Sequence, residues 1–199
     1  MTGVVRSVVF ALTQLTGLRL VFLVFLLLFS SSVASPGQSS GATDVQVVAA
    51  YLYNFGKFVT FPANRGASSD SFQICIFGKD PFGDVLDATV QGESINGRKI
   101  TARRIPNMQQ AQACSILFIS TSEENRLPAI LAAAQQWRIL TVSEIKHFSE
   151  RGGIIELLRQ QDRIRFEVNL TAAQDSHLLL SSELLKVATR VLRKEAKGS

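Results

Sequence analysis

The chain contains 199 residues with a formal net charge of +5, and 46% of its residues are hydrophobic. This length allows one domain with a core of its own. The positive charge is not concentrated in the basic stripe of a nucleic-acid-binding domain, so the composition argues against that class of protein.

The first 34 residues are typical of a signal peptide. Arg6 and Arg19 supply positive charge, residues 20–29 form an unbroken apolar run, and small residues lead to Ala34, after which we expect cleavage. The apolar run is shorter than the roughly 20 residues that cross a bilayer. We therefore predict export to the periplasm, and an uncleaved membrane anchor is the alternative.

Residues 35–43 are rich in serine and glycine and predict a flexible leader. Residues 44–193 are predicted to form a single α/β domain, and residues 194–199 a polar tail. The domain is predicted to begin with a helix over residues 44–59, which Asp44 caps and the Phe61-Pro62 pair stops. Because most sides of this helix are apolar, it requires a second neighbour besides the core, either elsewhere in the domain or in another chain.

From residue 71 onward, short apolar runs alternate with helical patterns. Strands are predicted over residues 72–77, 100–105, 115–119 and 138–142. One helix is predicted to begin at Asp80, with Pro81 in its first position. A second is predicted over residues 121–136, with Thr121 and Glu124 as a capping box. Ser143 is predicted to cap a further short helix that ends at residue 150.

The pattern changes after residues 152–153. The apolar runs 154–158 and 164–168 are separated by a short polar turn, which predicts an antiparallel hairpin. Thr171 and Gln174 are predicted to cap a short helical turn, and Ser181 to begin a last helix that extends to Leu192. The fold class predicted is α/β in three layers: a largely parallel sheet flanked by helices, with a C-terminal antiparallel hairpin.

The chain has two cysteines, Cys75 and Cys114. In an oxidising compartment, an even number of cysteines favours a disulfide. Two buried thiols are the alternative, because cysteine packs like a small hydrophobic residue.

Few residues of this sequence suit catalysis. The two histidines, His147 and His177, are not accompanied by a nucleophile motif, and we predict no catalytic residues. No set of ligands has the spacing of a metal site, and the acidic residues at 80, 84 and 87 are better explained by the dipole at a helix N-terminus. We predict no metal and no cofactor.

The C-terminal ends of parallel strands are the natural place for a small ligand. The polar residues predicted at these ends, and hence our ligand-binding candidates, are Lys79, Asp80, Ser120 and Ser143. The alternative is that these residues only cap the helices that follow.

Several motifs, taken together and in order, resemble the YfiR family. They cover residues 51–58 with Phe61-Pro62, then 78–83, 114–120, 140–143, 152–155, 163–169 and 181–185. Each motif is weak by itself, but seven in the same order are specific, and they extend over nearly all of residues 45–192.

The resemblance implies a periplasmic regulatory protein without catalysis of its own. Such proteins bind and repress an inner-membrane diguanylate cyclase through its periplasmic part, which controls cyclic di-GMP and biofilm formation. An OmpA-like outer-membrane lipoprotein relieves the repression, and a homodimer is expected. A periplasmic small-molecule-binding sensor is the alternative function.

A protein that changes partners needs exposed apolar patches. The candidates for a partner-binding surface lie on the first helix and just before the last one, and for each of them a place in the core is the alternative. They are Tyr51, Tyr53, Phe58, Phe61, Leu178 and Leu179, with Leu180 next to them.

Overall fold

The computed structural model describes residues 40–62 and 71–194, with the side chains of residues 40–43 left undescribed. The predicted signal peptide, most of the flexible leader and the tail from residue 195 onward lie outside the described residues. No helix of the described ranges is long and apolar enough to span a membrane.

Five α-helices and two 3-10 helices are present in the described ranges. The α-helices are α1 Ser40–Phe58, α2 Asp84–Val90, α3 Leu127–Gln136, α4 Leu170–Asp175 and α5 Ser182–Val187, and the 3-10 helices are Met108–Ala113 and Thr121–Arg126. The strands are β1 Val59–Thr60, β2 Ser71–Phe77, β3 Ser94–Ile95, β4 Arg98–Ile105, β5 Ile116–Ile119, β6 Leu140–Ser143, β7 Ile155–Gln160, β8 Arg163–Asn169, β9 Leu179–Leu180 and β10 Arg190–Leu192.

Eight strands form one sheet in the order β10-β8-β7-β6-β5-β2-β4-β3. The central strands β4, β2, β5, β6 and β7 are parallel to one another, whereas β8 is antiparallel to β7 and β3 is antiparallel to β4. The remaining strands, β1 and β9, pair with each other in a separate antiparallel ribbon.

The sheet separates two apolar cores, because successive side chains of a strand point to opposite faces. Ile74 and Ile76 of β2 pack in the first core with Leu52 and Phe55 of α1. Cys75 of β2 packs in the second core, which also contains the apolar side of α3. Burial on both faces explains why the central parallel strands are almost continuously apolar, and the predicted three-layer α/β class is confirmed.

The predicted hairpin is present as β7 and β8. Its turn consists of Gln161 and Asp162, whose φ angles are 47° and 57°. Positive φ at both central residues is what a two-residue turn requires if its twist is to match that of the paired strands.

The bounds of the first helices differ from those predicted. α1 begins at Ser40 instead of Asp44 and ends at Phe58, so that Val59 is in a strand. The helix predicted from Asp80 begins only at Asp84. The Asp80 carboxylate instead accepts a 2.8 Å hydrogen bond from the N–H of Phe82, a local turn that competes with helix formation.

Two further capping predictions are wrong. Ser120, not Thr121, caps the segment after β5, and that segment begins as a 3-10 helix before α3. Ser143 is the last residue of β6, and residues 144–150 form turns instead of a helix. The backbone N–H groups of this loop bind a buried carboxylate, described below, which satisfies them without helical hydrogen bonds.

The C-terminal region also departs from the prediction. The Asn169 side chain, not that of Thr171, caps α4 by accepting a 2.8 Å hydrogen bond from the N–H of Ala172. Ser181 caps α5 as predicted, but this helix ends at Val187. Residues Arg190–Leu192 form β10 instead, because they pair in register with β8 at the edge of the sheet.

Candidate functional site

The end of α1 and the segment before α5 meet in the two-stranded ribbon of β1 and β9. Val59 lies opposite Leu180, and Thr60 lies opposite Leu179. Val59 is buried and Leu180 packs against the first core, so this pair faces inward. Because side chains alternate along a strand, Thr60 and Leu179 face outward.

Two of the predicted partner-binding residues are exposed at this ribbon. Phe58 exposes 41% of its surface and Leu179 exposes 68%. The N–H of Ser181 donates a 2.9 Å hydrogen bond to the carbonyl of Phe58, which continues the pairing of the two segments. We call Phe58, Thr60 and Leu179 the ribbon surface.

A groove of about 420 Å³ adjoins the ribbon surface. Its apolar walls include Phe61 and Leu179, and its polar walls include Gln174 and His177. Phe61 is half-buried, with its ring edge-on to Phe72 at a centroid distance of 5.5 Å. The groove and the ribbon surface together present apolar side chains within a polar border, which is the composition of a protein-interaction surface.

The other partner-binding candidates contribute less to the surface. Leu178 is a correction to our prediction, since it exposes 1% and belongs to the first core. Tyr51 is half-buried: its ring stacks on Phe55, and its hydroxyl donates a 3.2 Å hydrogen bond to the carbonyl of Ile164.

Tyr53 is partly exposed but engaged on both sides. Its hydroxyl donates to a carboxylate oxygen of Glu93, and the ammonium of Lys57 lies 3.9 Å from the centroid of its ring. This arrangement anchors Tyr53 to the loop before β3 and leaves less of it for a partner than its position on the helix predicts.

Two exposed apolar residues were not among our candidates. Val47 exposes 36% and Val187 exposes 64%. The apolar face of the first helix consists of positions 45, 48, 52, 55 and 59, which recur at helical spacing. Val47 lies outside this repeat, so its exposure could have been predicted from the sequence. Val187 was assigned to the middle of a longer helix, and its exposure follows from the early end of α5.

The four ligand-binding candidates serve local structure. The Ser143 hydroxyl is buried, donates a 2.7 Å hydrogen bond to the carbonyl of Ile119, and accepts one from the N–H of Ile145. The Ser120 hydroxyl accepts from the N–H of Ser122, and the N–H of Lys79 donates to the hydroxyl of Ser122. Such bonds are those of caps and turns, the alternative that the sequence left open.

Asp80, the fourth candidate, forms an ion pair. Its carboxylate lies 2.8 Å from Nε of Arg104, which also binds Asp87. Burial lowers the pKa of Arg104, but the hydrogen bonds that it donates to Asp80 and Asp87 outweigh this effect and raise the pKa. Two of the three acids that we weighed as metal ligands therefore neutralise a guanidinium.

Cys75 and Cys114 form a disulfide across the second core. Their Cα atoms are 5.8 Å apart, and neither residue is exposed. The bond joins β2 to the residue that follows a 3-10 helix, so it connects two segments that are 39 residues apart in sequence.

A buried carboxylate that the sequence did not reveal organises the loop 144–150. Glu156 exposes 8% and accepts hydrogen bonds of 2.9 and 3.0 Å from the N–H groups of His147 and Ser149, and a third from the Ser149 hydroxyl. The only signal in the sequence was an acidic residue within an apolar strand. Charged residues are rarely buried without such partners.

The histidines have surface positions, and we still predict no catalytic role for them. Nδ1 of His147 lies 3.2 Å from the Glu150 carboxylate, and His177 borders the groove beside the ribbon surface.

A second cavity, of about 390 Å³, lies between α3 and α4. Leu131 and Ala132 of α3 contribute apolar walls, while Arg151 and Asn169 contribute polar atoms. Arg151 is already paired with the Glu124 carboxylate at 2.7 Å. None of our four ligand-binding candidates lines this cavity.

Comparison with known proteins gives a family and a fold. The model of the family described as YfiR/HmsC-like matches residues 45–189. No curated protein matches the chain.

Two solved structures are similar to this chain. A conserved domain protein from Vibrio cholerae matches with a TM-score of 0.50 and 11% identity over 73% of this chain and 60% of its own. An ABC domain in complex with L-Trp from Streptococcus pneumonia matches with a TM-score of 0.45 and 10% identity, over 61% of this chain and 55% of its own. This chain thus spans less than two thirds of either protein. At such low identity the first likeness shows the fold alone, and the second carries no argument.

Proposed function

The chain belongs to the YfiR/HmsC-like family, and from that premise we propose that it binds and represses a membrane-bound diguanylate cyclase through the periplasmic part of that enzyme. The family supports a periplasmic regulator of cyclic di-GMP signalling in general, and it is a regulatory, non-catalytic family. The binding and repression of a cyclase and the contact surface are the parts that we propose.

The observation that carries this proposal is the exposure of Phe58 and Leu179 at the ribbon surface. Large apolar side chains in contact with water cost free energy that a partner recovers by covering them, at about 25 cal/mol per Å² of apolar area. The adjoining groove offers further apolar walls. The polar residues at the strand ends, by contrast, are engaged in caps and ion pairs.

The test is a double substitution, Phe58→Ser with Leu179→Ser. We expect a loss of about 2 kcal/mol of binding free energy from the two apolar contacts, which is about a 30-fold weaker Kd. The measurements are co-purification of the protein with the affinity-tagged cyclase in detergent and the cellular concentration of cyclic di-GMP. The variant should behave as a gene deletion does, with less protein bound and more cyclic di-GMP.

Val47→Ser is the matched control, because Val47 is an exposed apolar residue of the same helix. It lies eleven residues before Phe58, about 16 Å along the helix axis. We expect this variant to resemble the wild type in both measurements. Cyclic di-GMP concentrations that are equal with and without the gene would contradict the proposal.

Relief of repression by an OmpA-like outer-membrane lipoprotein and assembly as a homodimer complete the proposal. The same variants test the lipoprotein, since a lipoprotein that competes with the cyclase must lose affinity when the ribbon surface is changed. The molecular mass of the purified protein in solution shows whether it forms a homodimer.

The cavity between α3 and α4 favours one other function, a small-molecule sensor. Its partly apolar walls and the polar atoms of Arg151 and Asn169 are typical of a small-ligand site. A ligand that binds only the native state raises the melting temperature. A thermal shift with a panel of amino acids and vitamins, absent in an Arg151→Gln variant, would support this second candidate.

A further inference from the structure

One end of the large sheet has a face that the described helices leave uncovered. Ile164, Phe166 and Val168 of β8 point toward the first core, so the alternate residues Arg163, Arg165 and Glu167 point to the opposite face. On that face Leu158 lies opposite Arg165, and Gln160 lies opposite Arg163. Among the described residues, the second core that α3 covers includes no residue of β7, β8 or β10.

A cleft of about 690 Å³ is present at this uncovered face. We call it the arginine cleft, and its walls are Gln160, Gln161, Arg163, Arg165 and Thr189. All five residues are exposed. The cleft lies at the turn end of the hairpin, where the outer edge of β8 has no strand beside it because β10 pairs with β8 only from Glu167 onward.

The two arginines of the cleft differ from their neighbours in charge balance. Arg190, on the adjacent strand, pairs with Glu150 at 2.8 Å and with Glu167 at 2.6 Å. Arg163 and Arg165 contact no carboxylate within residues 40–62 and 71–194. Two like charges at alternate positions of one strand repel each other, and a bound anion would remove that cost.

The spacing of the arginines indicates what kind of anion fits. Side chains at alternate positions of a strand are about 7 Å apart. An extended protein segment with acidic side chains at alternate positions has the same repeat, and guanidinium groups bind carboxylates in a bidentate manner. The amides of Gln160 and Gln161 add hydrogen-bonding groups for the backbone of such a segment.

We propose that the arginine cleft is a docking site for an extended, acidic segment of a partner protein. Attachment to anionic lipid is less favoured, since the exposed walls of the cleft carry no apolar side chain that would insert into a membrane. This proposal does not depend on the ribbon surface, which involves β1 and β9.

The test uses a synthetic ten-residue peptide of alternating threonine and glutamate, with alternating threonine and glutamine as its neutral counterpart. Binding to the purified full-length protein is followed by fluorescence anisotropy. We expect the acidic peptide to bind at least about tenfold more tightly than the neutral one and to weaken as salt is added. Arg163→Glu with Arg165→Glu should abolish this preference, and the glutamine variants at both positions should reduce it.

Lys79→Glu with Lys99→Glu is the matched control, because both lysines are exposed, lie at β2 and β4 and away from β8, and give the same change in net charge. It should bind the acidic peptide as the wild type does, as should the variant altered at Phe58 and Leu179. Equal affinity for both peptides, or no binding at about 1 mM, a concentration that detects contacts of only about 4 kcal/mol, would overturn the proposal. Arginine-dependent binding to phosphatidylglycerol vesicles but not to the peptide would overturn it in favour of a lipid site.

Discussion

Loss of the Cys75–Cys114 disulfide should destabilise the protein by a calculable amount. The bond closes a loop between residues that are 39 positions apart. In the chain-entropy model, such a closure removes about 13 cal/mol/K from the unfolded state, which is about 4 kcal/mol at 25 °C. A typical domain has a free energy of unfolding of only about 5–15 kcal/mol, so this bond is a large share of the total.

Urea unfolding of the oxidised and reduced protein measures this effect. Trp137 is the single tryptophan of the chain and packs against the second core, so its fluorescence reports the unfolding of that core. With a urea slope of about 2 kcal/mol per molar, we expect reduction to lower the midpoint by about 2 M. The reduced protein retains both sulfurs, so the change reflects the cross-link more than packing.

The double variant Cys75→Ala with Cys114→Ala is the control. It should unfold at the same urea concentration with and without dithiothreitol, somewhat below the reduced wild type, because it also loses two buried sulfur atoms. Oxidised and reduced wild-type proteins that unfold within about 1 kcal/mol of each other would refute the loop-entropy argument. Both thiols free in protein isolated from its native cells would contradict the prediction of export to an oxidising compartment.

Two predictions concern the polar network beside the uncovered sheet face. Glu156→Gln replaces one carboxylate oxygen by an NH₂ donor that faces backbone N–H groups. We therefore expect urea denaturation to show a free energy of unfolding lower by about 2–3 kcal/mol. Asp175→Asn, at an exposed position, is the control and should change the free energy of unfolding little. A hydrogen bond from Arg190 holds the pKa of Glu150 below its ordinary value of 4.5. This ion pair therefore stabilises the protein above pH 4.5, and its contribution is lost as the pH falls through the lowered pKa. As the pH falls below 4.5, the urea midpoint should decrease more steeply in the wild type than in Glu150→Gln.

Each of these two predictions has a contradicting result. A Glu156→Gln variant as stable as the wild type would show that the loop N–H groups find other acceptors. Parallel midpoint-against-pH curves for the wild type and Glu150→Gln would show that Arg190 does not distinguish the charged form of Glu150 from the neutral one.

The sequence predicted which segments contribute to the candidate interaction surface, but not which of their apolar residues are exposed. The apolar residues of α1 exceed what one core-facing stripe requires, which correctly indicated a second neighbour. That neighbour lies in the same domain: the ring of Tyr51 packs edge-on to Phe166 of β8, the ring of Phe61 packs edge-on to Phe72 of β2, and Phe58 stays exposed. Leu178 and Leu179 are adjacent in sequence and chemically identical, yet one is buried and the other exposed.

The sequence by itself determined the class of the fold and the succession of most strands and helices along the chain, because apolar periodicity and turn residues are local signals. It also identified the hairpin and the residues of the disulfide. The tertiary structure alone decided that residues 190–192 form an edge strand, that residues 144–150 fold around Glu156, and which apolar residues meet water. These outcomes depend on hydrogen bonds and contacts between residues far apart in the chain, and local propensity carries no information about such partners.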